Sequence, residues 1–453
     1  MNMTMPRRRF LKALSAMGAA SAAAGCATMG AGPAHGKVVV VGGGYGGATA
    51  AKYLRLWSGQ RIDVTLVDEN PAFVSCPLSN LVLGGSKTLA DITVPFDGLS
   101  RNHGVNVVRD RAVAVDADKR VVRLAGGRML PYDRLILSPG IDFNYAAVPG
   151  LNSVAAQEQI LHAWKAGPQT VALRRQLEAM PDGGVYVLTI PVAPYRCPPG
   201  PYERACQVAW YFKQAKPRSK VLVLDGNPDV TSKGALFKRA WAEEYKGIVE
   251  YRANHVMTDV DWKAKTAKFE TAEDARADVL NPLPPQRAGD IAQQAGVVTA
   301  NDRWCEVDFL TFESIKVKNI HVIGDSIQIG PGMPKSGHMA NSHAKVCASA
   351  IIALLSGQPK PRAADQQHLL YVHHRPRCRA RGVGAPLRRG EEDIRAGDRR
   401  GGAVADVDCA RRNLCACLGA EHLGGCACLN RRSVSLHAMA CTPRGRGGRA
   451  GPG

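Results

Sequence analysis

Residues 37–57, KVVVVGGGYGGATAAKYLRLW, run four valines into a glycine-dense turn and then into apolar residues at helical spacing. Few architectures accept that order. A run of valines suits a strand covered on both faces, as in a parallel sheet. Gly42, Gly44 and Gly47 form G-x-G-x-x-G at the join, where bare backbone lets a pyrophosphate reach the N–H groups at a helix N-terminus. The motif alone is weak. It gains from RIDVTLVDEN, a second strand ending at Asp68, where a ribose-binding carboxylate falls, roughly twenty residues on. The plainer account of Asp68 is a turn residue at a strand end. Strand, turn, helix and acid together predict an α/β chain with a dinucleotide-binding unit near residue 40.

Two further segments choose the dinucleotide. RMLPYDRLILSPG carries a Tyr-Asp step, an apolar strand and Gly140, and it resembles the segment that closes the FAD domain in two-dinucleotide oxidoreductases. IKVKNIHVIGDSIQ ends another strand in Gly324-Asp325, which in that superfamily sets an acid against the ribityl chain. Three motifs in this order favour FAD over NAD. The expected architecture is two Rossmann-like domains of the glutathione-reductase type. Residues 37–150 and 301–357 would form the two parts of the FAD domain, 151–300 the second domain, 1–36 an export signal and 358–453 a tail.

The second domain departs from its type. Its strand GGVYVLTIP is followed by PVAPYRCPPGPYERA, where a nicotinamide site would need a glycine loop. Proline lacks the N–H that cradles a phosphate and stiffens the chain, so no nicotinamide site is expected. Cys197 sits in that loop, ahead of the helix YERACQVAWYF. A helix N-terminus favours thiolate, so Cys197 is expected to be a nucleophile with a lowered pKa, against the bland reading of a buried thiol. Glu203 in the first turn is either a proton acceptor for that thiol or an ordinary first-turn acid. Cys206, in the helix body, reads as buried.

The formal charge of +20 suggests a polyanionic partner until it is located. Residues 366–453 hold 16 Arg, no Lys and 7 acids, and residues 1–36 hold four basic side chains and no acid, which leaves only +7 for residues 37–365. No nucleic-acid partner is expected. RRRFLKALSAMGAASAAAGCATMGAGPAHG resembles a twin-arginine export signal at Arg7-Arg8, with cleavage near Ala34 or a lipoprotein acceptor at Cys26 as alternatives. Periplasmic location follows, and no transmembrane segment is expected in the mature chain. Of 13 cysteines, seven lie beyond residue 375. Those at 76, 197, 206, 305 and 347 are too scattered for a disulfide scaffold, and no zinc site is expected.

RCPPGPYERA, VSCPLSN, NPLPPQRAGDIAQQAG and PKSGHMANSHAKV together resemble the flavoprotein subunit of flavocytochrome c sulfide dehydrogenase, in order from about Lys37 to Leu355. The resemblance implies an enzyme that takes electrons from sulfide and passes them through FAD to a c-type cytochrome subunit, which carries the haem. It implies that Cys76 of CPLSN carries the FAD covalently at the 8α position. It also places Lys335 of PKSG beside the isoalloxazine, where its charge would stabilise reduced flavin, and makes Cys197 one half of a redox disulfide. Sulfide would open that disulfide, leaving a persulfide and a thiolate that reduces FAD. His338 and His343 depart from the family's residues and receive no role.

The resemblance stops near residue 360. The second disulfide cysteine should lie there in an Asn-Thr-Cys-Tyr-Ser motif that this chain lacks, and Cys378, the nearest downstream cysteine, has different surroundings. Beyond Lys360 there is no further Lys and no Phe or Trp, and no hydrophobic period of either kind survives. One account is a natural basic tail. The other is translation out of frame, since back-translating QHLLYV and shifting by one nucleotide permits Asn-Thr-Cys-Tyr. Two alternative functions stand beside sulfide dehydrogenase: a sulfide:quinone reductase, and a flavin-binding remnant without catalysis.

Overall fold

The computed structural model describes residues 36–359. Residues 1–35 and 360–453, which hold nearly all of the expected export signal and tail and include Cys378, lie outside the described residues.

Two parallel sheets repeat one plan. In the first, β1 (Gly36–Val41), β2 (Ile62–Asp68), β3 (Asn106–Arg109), β4 (Arg134–Leu137) and β9 (Ile320–Val322) lie in the order β9-β4-β1-β2-β3. Every pairing is parallel, with Val38 opposite Val64 on one side and Arg134 on the other. The valines of β1 are buried, as the central strand of a parallel sheet requires. Each fully buried Val or Leu contributes about 1.5–3 kcal/mol relative to an exposed one, so this central strand cannot take polar residues cheaply.

The second sheet runs β7 (Val249–Arg252), β6 (Lys220–Asp225), β5 (Val185–Ile190) and β8 (Val279–Pro282) in that order, again all parallel. In both units a three-stranded antiparallel meander precedes the strand that returns to pair with the first: 112–131 before β4, and 257–276 before β8. The chain leaves the first unit through Ile141–Phe143 and returns through Gln286–Ala288. These two crossing segments pair antiparallel.

Five helices position the site. The first, α1 (Tyr45–Trp57), follows the glycine turn; α2 (Ser79–Gly84) follows the CPLSN segment; α3 (Pro168–Ala179) and α4 (Gly200–Ala215) flank β5. The last, α5 (Gly337–Leu355), packs against α1. Both bury small residues, Ala48, Ala50 and Ala51 on α1 and Ala340, Ala344 and Ala348 on α5, which lets the backbones approach closely. Ser336 caps α5 by accepting from the Met339 N–H at 3.2 Å, a bond whose loss costs about 1 kcal/mol. Among the described residues no helix is long and apolar enough to cross a membrane.

Candidate active site

A cleft opens between the units and is lined by residues of both. Its floor is the turn between β1 and α1. Gly42 has φ +97°, and a Cβ there would stand 2.3 Å from the Ser138 carbonyl oxygen; a Cβ on Gly47 would stand 1.8 Å from the Gly42 carbonyl oxygen. Those two glycines are required by the fold. Gly44, the N-cap of α1, differs: it lines the cleft and a Cβ there would meet nothing within 4 Å. The space beside it is the cradle that G-x-G-x-x-G provides for a phosphate.

Asp68 reaches the cleft from the end of β2 and accepts the Gly43 N–H at 2.6 Å and the Asn70 N–H at 2.8 Å. It therefore ties the turn together as well as facing the site. Gly140, Gly324 and Asp325 line the opposite wall. Asp325 Oδ1 is buried with no hydrogen-bond partner among the described residues, and burial raises the carboxyl above its ordinary range, with Arg196 and Lys335 acting the other way. Trp164, also on the wall, buries an unpartnered Nε1–H. An orphan acceptor and an orphan donor flank one glycine cradle. FAD, with hydroxyls, a pyrophosphate and a flat ring of donors and acceptors, fits this set.

Cys76 and Cys197 line the same cleft. Cys76 Sγ accepts from the Ala166 N–H at 3.4 Å. Cys197 has φ +59°, a left-handed conformation unusual for a residue with a Cβ, and its N–H donates to the Lys335 carbonyl at 2.7 Å. The expected lowering of its pKa is not found. Burial, seconded by the nearby Glu203 carboxylate, pushes the thiol up to about 12, with Arg196 and the Gly200 N–H only partly opposing this. Desolvation of a thiolate outweighs a half-charge dipole. Glu203 is itself raised to about 7 by burial, with an Asn80 Nδ2–H contact at 3.4 Å acting the other way. Cys206 is half-buried, and burial raises it to about 12.

Lys335 does not line the cleft with its side chain. Its Nζ donates to the Asp325 and Ile327 carbonyls at 2.9 and 2.6 Å and lies 3.4 Å from the centre of the Trp304 ring. Burial lowers it to about 7. Its contribution to the site runs through backbone: it holds the Asp325 loop by Nζ and Cys197 by its own carbonyl. His343, unassigned from sequence, also supports that loop, since Nδ1 accepts the Gly324 N–H at 3.3 Å.

The second unit carries no second cradle. After β5 the loop Pro191–Pro199 turns into α4, and Asp225, at the end of β6 where a ribose acid would stand, is fully buried. Its carboxylate accepts from the Tyr202 and Tyr251 hydroxyls at 2.7 and 3.0 Å and from the Asn227 N–H at 3.0 Å. Tyr195 and Tyr202 both reach Thr231 Oγ1, at 2.7 and 3.3 Å. Tyrosine hydroxyls thus occupy the acid that a nucleotide would need. Tyr202 and Tyr251, which bond this acid, lie far apart in the sequence and carried no local signal.

Paired Rossmann-type units with a glycine cradle in the cleft between them make an α/β fold of the glutathione-reductase type. Comparison agrees: residues 36–178 match the pyridine nucleotide-disulphide oxidoreductase model, and residues 170–284 match the model of the central part of the sulfide dehydrogenase [flavocytochrome c] flavoprotein chain. Over residues 36–284 the chain thus resembles flavoproteins of the FAD/NAD(P)-dependent disulfide-oxidoreductase type. It is 25% identical over 304 residues to mitochondrial sulfide:quinone oxidoreductase of Mus musculus, covering 64% of this chain and 65%, just under two thirds, of that relative. It is 61% identical over 46 residues to the sulfide dehydrogenase [flavocytochrome c] flavoprotein chain of Chlorobaculum thiosulfatiphilum, 10% of this chain and 94% of that sequence. The crystal structure of the Aquifex aeolicus sulfide:quinone oxidoreductase aligns with a TM-score of 0.61 at 20% identity, over 71% of this chain and 78% of that one, a likeness of fold.

Proposed function

We propose that this chain oxidises sulfide, using Cys197 to take up the sulfur and FAD to take up the electrons. The observation that carries the reading is the presence of Cys197 on the cleft that holds the glycine cradle, in a molecule whose second nucleotide position is filled by its own tyrosines. FAD, when bound, supplies a two-electron acceptor. The protein's part is to hold and orient. Gly44 and the first turn of α1 receive the pyrophosphate, Asp325 and Trp164 supply the missing polar partners, and Glu203 takes a proton from the sulfur chemistry at Cys197. Sulfide attack on a disulfide of Cys197 would break the S–S bond, form a persulfide and free the partner cysteine as a thiolate. The second cysteine of that disulfide falls, on the family resemblance, outside the described residues.

The long alignments, to sulfide:quinone oxidoreductases, favour a quinone as the final oxidant. A c-type cytochrome subunit is the second reading, favoured by the match of residues 170–284 and by the 46-residue identity. Covalent attachment of FAD to Cys76 and twin-arginine export to the periplasm belong to the same proposal. Acid-precipitated protein should keep its yellow colour, and Cys76→Ser should lose it. Anaerobic sulfide should bleach the flavin of the native protein, and Cys197→Ser should stay oxidised while retaining FAD. Reoxidation of the bleached protein by decylubiquinone or by a c-type cytochrome then separates the acceptors. Flavin that stays yellow in sulfide would make the chain a non-catalytic remnant.

A further inference from the structure

We propose that Arg196 receives the substrate of the Cys197 site, and that this substrate arrives as a small sulfur anion, hydrosulfide; this rests on the reading of Cys197 as the residue that takes up sulfur. Among the described residues that line the cleft, Arg196 is the one cation. Its guanidinium donates to the Trp164 carbonyl and pairs with no carboxylate among the described residues. A guanidinium carries five N–H donors, so others remain for a ligand. Neighbouring cations are differently placed. Lys335 commits its Nζ to the Asp325 and Ile327 carbonyls, and Lys165 and Arg287, outside the cleft, pair with Asp142 and Asp290. The backbone also holds Arg196 ready: its N–H donates to Gln286 Oε1 at 2.8 Å, and the N–H of Cys197 donates to the Lys335 carbonyl at 2.7 Å. Gln286 is fully buried, so guanidinium and thiol stand on adjacent residues anchored in the core, and a donor already ordered gives up little freedom on binding.

Size and charge choose the ligand. A Cβ on Gly200 would stand 3.0 Å from Cys197 Sγ and 2.8 Å from Trp164 Cη2, so the gap between sulfur and indole is narrower than a methyl group. A tetrahedral oxyanion such as phosphate is too wide there, and a nucleophile of one heavy atom is not. Hydrogen sulfide loses its first proton near neutral pH, and the anion is the form that attacks sulfur. Burial, Glu203 and Asp325 all raise the Cys197 thiol, with Arg196 and the Gly200 N–H acting the other way. Without Arg196 the site would therefore repel the anion it must accept. In the attack one S–S bond forms, another breaks, and one negative charge passes from the incoming sulfur to the departing cysteine. No proton or electron is gained or lost, so a single fixed cation serves the anion on both sides of the step.

The test uses thiol chemistry alone. The FAD-loaded full chain, reduced with a phosphine, is alkylated in parallel by iodoacetate, an anion, and by iodoacetamide, its neutral counterpart, and modification of Cys197 is followed by peptide mass. The ratio of the two rates is the readout. Loss of Arg196 also raises the thiol's pKa, but that slows both reagents alike and cancels. Arg196→Met should lower the iodoacetate-to-iodoacetamide ratio at least about fivefold, and Arg196→Lys, which keeps the charge, should keep most of it. Added salt should bring the parent's ratio down towards that of Arg196→Met. FAD absorbance and the iodoacetamide rate report that each variant has folded, and the salt series needs no variant. A ratio unchanged in Arg196→Met, lost equally in Arg196→Lys or insensitive to salt overturns the inference. So does a variant that sheds FAD while its ratio, measured without cofactor, matches the parent's, since the guanidinium would then serve the cofactor. Sulfide bleaching of the oxidised protein is a separate measurement: bleaching with no charge preference removes the role of Arg196 and leaves the sulfide reading, and charge preference without bleaching removes sulfide as the ligand.

Discussion

Glu203 places stability and chemistry in opposition. Burial raises its carboxyl from 4.5 to about 7, so the folded protein holds the proton more tightly than the unfolded chain between those values. The stability this gives is present at low pH and is lost as pH rises through 7, where folding must bury a charge. At 1.36 kcal/mol per pKa unit the loss reaches roughly 3 kcal/mol. Glu203→Gln keeps an oxygen for Asn80 and removes the ionisation. Thermal melts at pH 8 should find the variant more stable than the parent, and at pH 5 most of that advantage should be gone. Flavin reduction by sulfide should move the other way: in the parent its rate should rise through pH 7 as Glu203 becomes able to accept a proton, and in the variant this inflection should disappear. A variant no more stable at pH 8 would show that the carboxylate is not held at a cost.

At the scale of elements, the turn between β1 and α1 separates what folds from what binds. Gly47→Ala would drive a Cβ to 1.8 Å from a backbone oxygen and should destabilise the protein by several kcal/mol, on the order of other forced overpacking, with or without cofactor. A Cβ at Gly44 meets no protein atom within 4 Å, so Gly44→Ala should leave the melting temperature of the FAD-free protein nearly unchanged and lower FAD affinity by at least about tenfold. Melting curves with and without FAD distinguish the two. This turn was legible in the sequence because both demands, on backbone room and on a bare helix start, select glycine at fixed spacing. Asp68, Gly140 and Asp325 were legible at the ends of apolar runs, and Cys76 only through the family resemblance. Trp164, Arg196 and Asn80 were not, since their arrival at the cleft depends on how the chain crosses between units, and no local period encodes that. The thiol of Cys197 misled for a related reason: a helix start is visible locally, whereas the burial that overrides it is made by distant segments.

At the scale of the molecule, one buried guanidinium joins the parts. Arg204 is fully buried and has no carboxylate partner among the described residues. It donates to Asn80 Oδ1 at 3.1 Å on α2, to Asn281 Oδ1 at 2.9 Å on β8, and to the His162 and Ala163 carbonyls, both at 2.7 Å, on the connecting segment. Its guanidinium lies 4.7 Å from the Trp164 ring centre. First unit, second unit and the connecting segment that walls the cleft at Trp164 thus share one side chain, placed one residue after Glu203. Burial lowers it only to about 10, so it stays charged at neutral pH. A buried charge of this kind persists when its donors are all satisfied, and removing it leaves the acceptors bare. Arg204→Met, which keeps much of the volume and none of the donors, should cost on the order of 3–5 kcal/mol. Lysine cannot fork to four acceptors, so Arg204→Lys should recover little. The loss should also uncouple the units, turning one calorimetric transition into two and loosening FAD, while the isolated strands of each sheet keep their order. A single transition within about 2 °C of the parent's would mean that the crossing strands at 141–143 and 286–288 hold the units together without it.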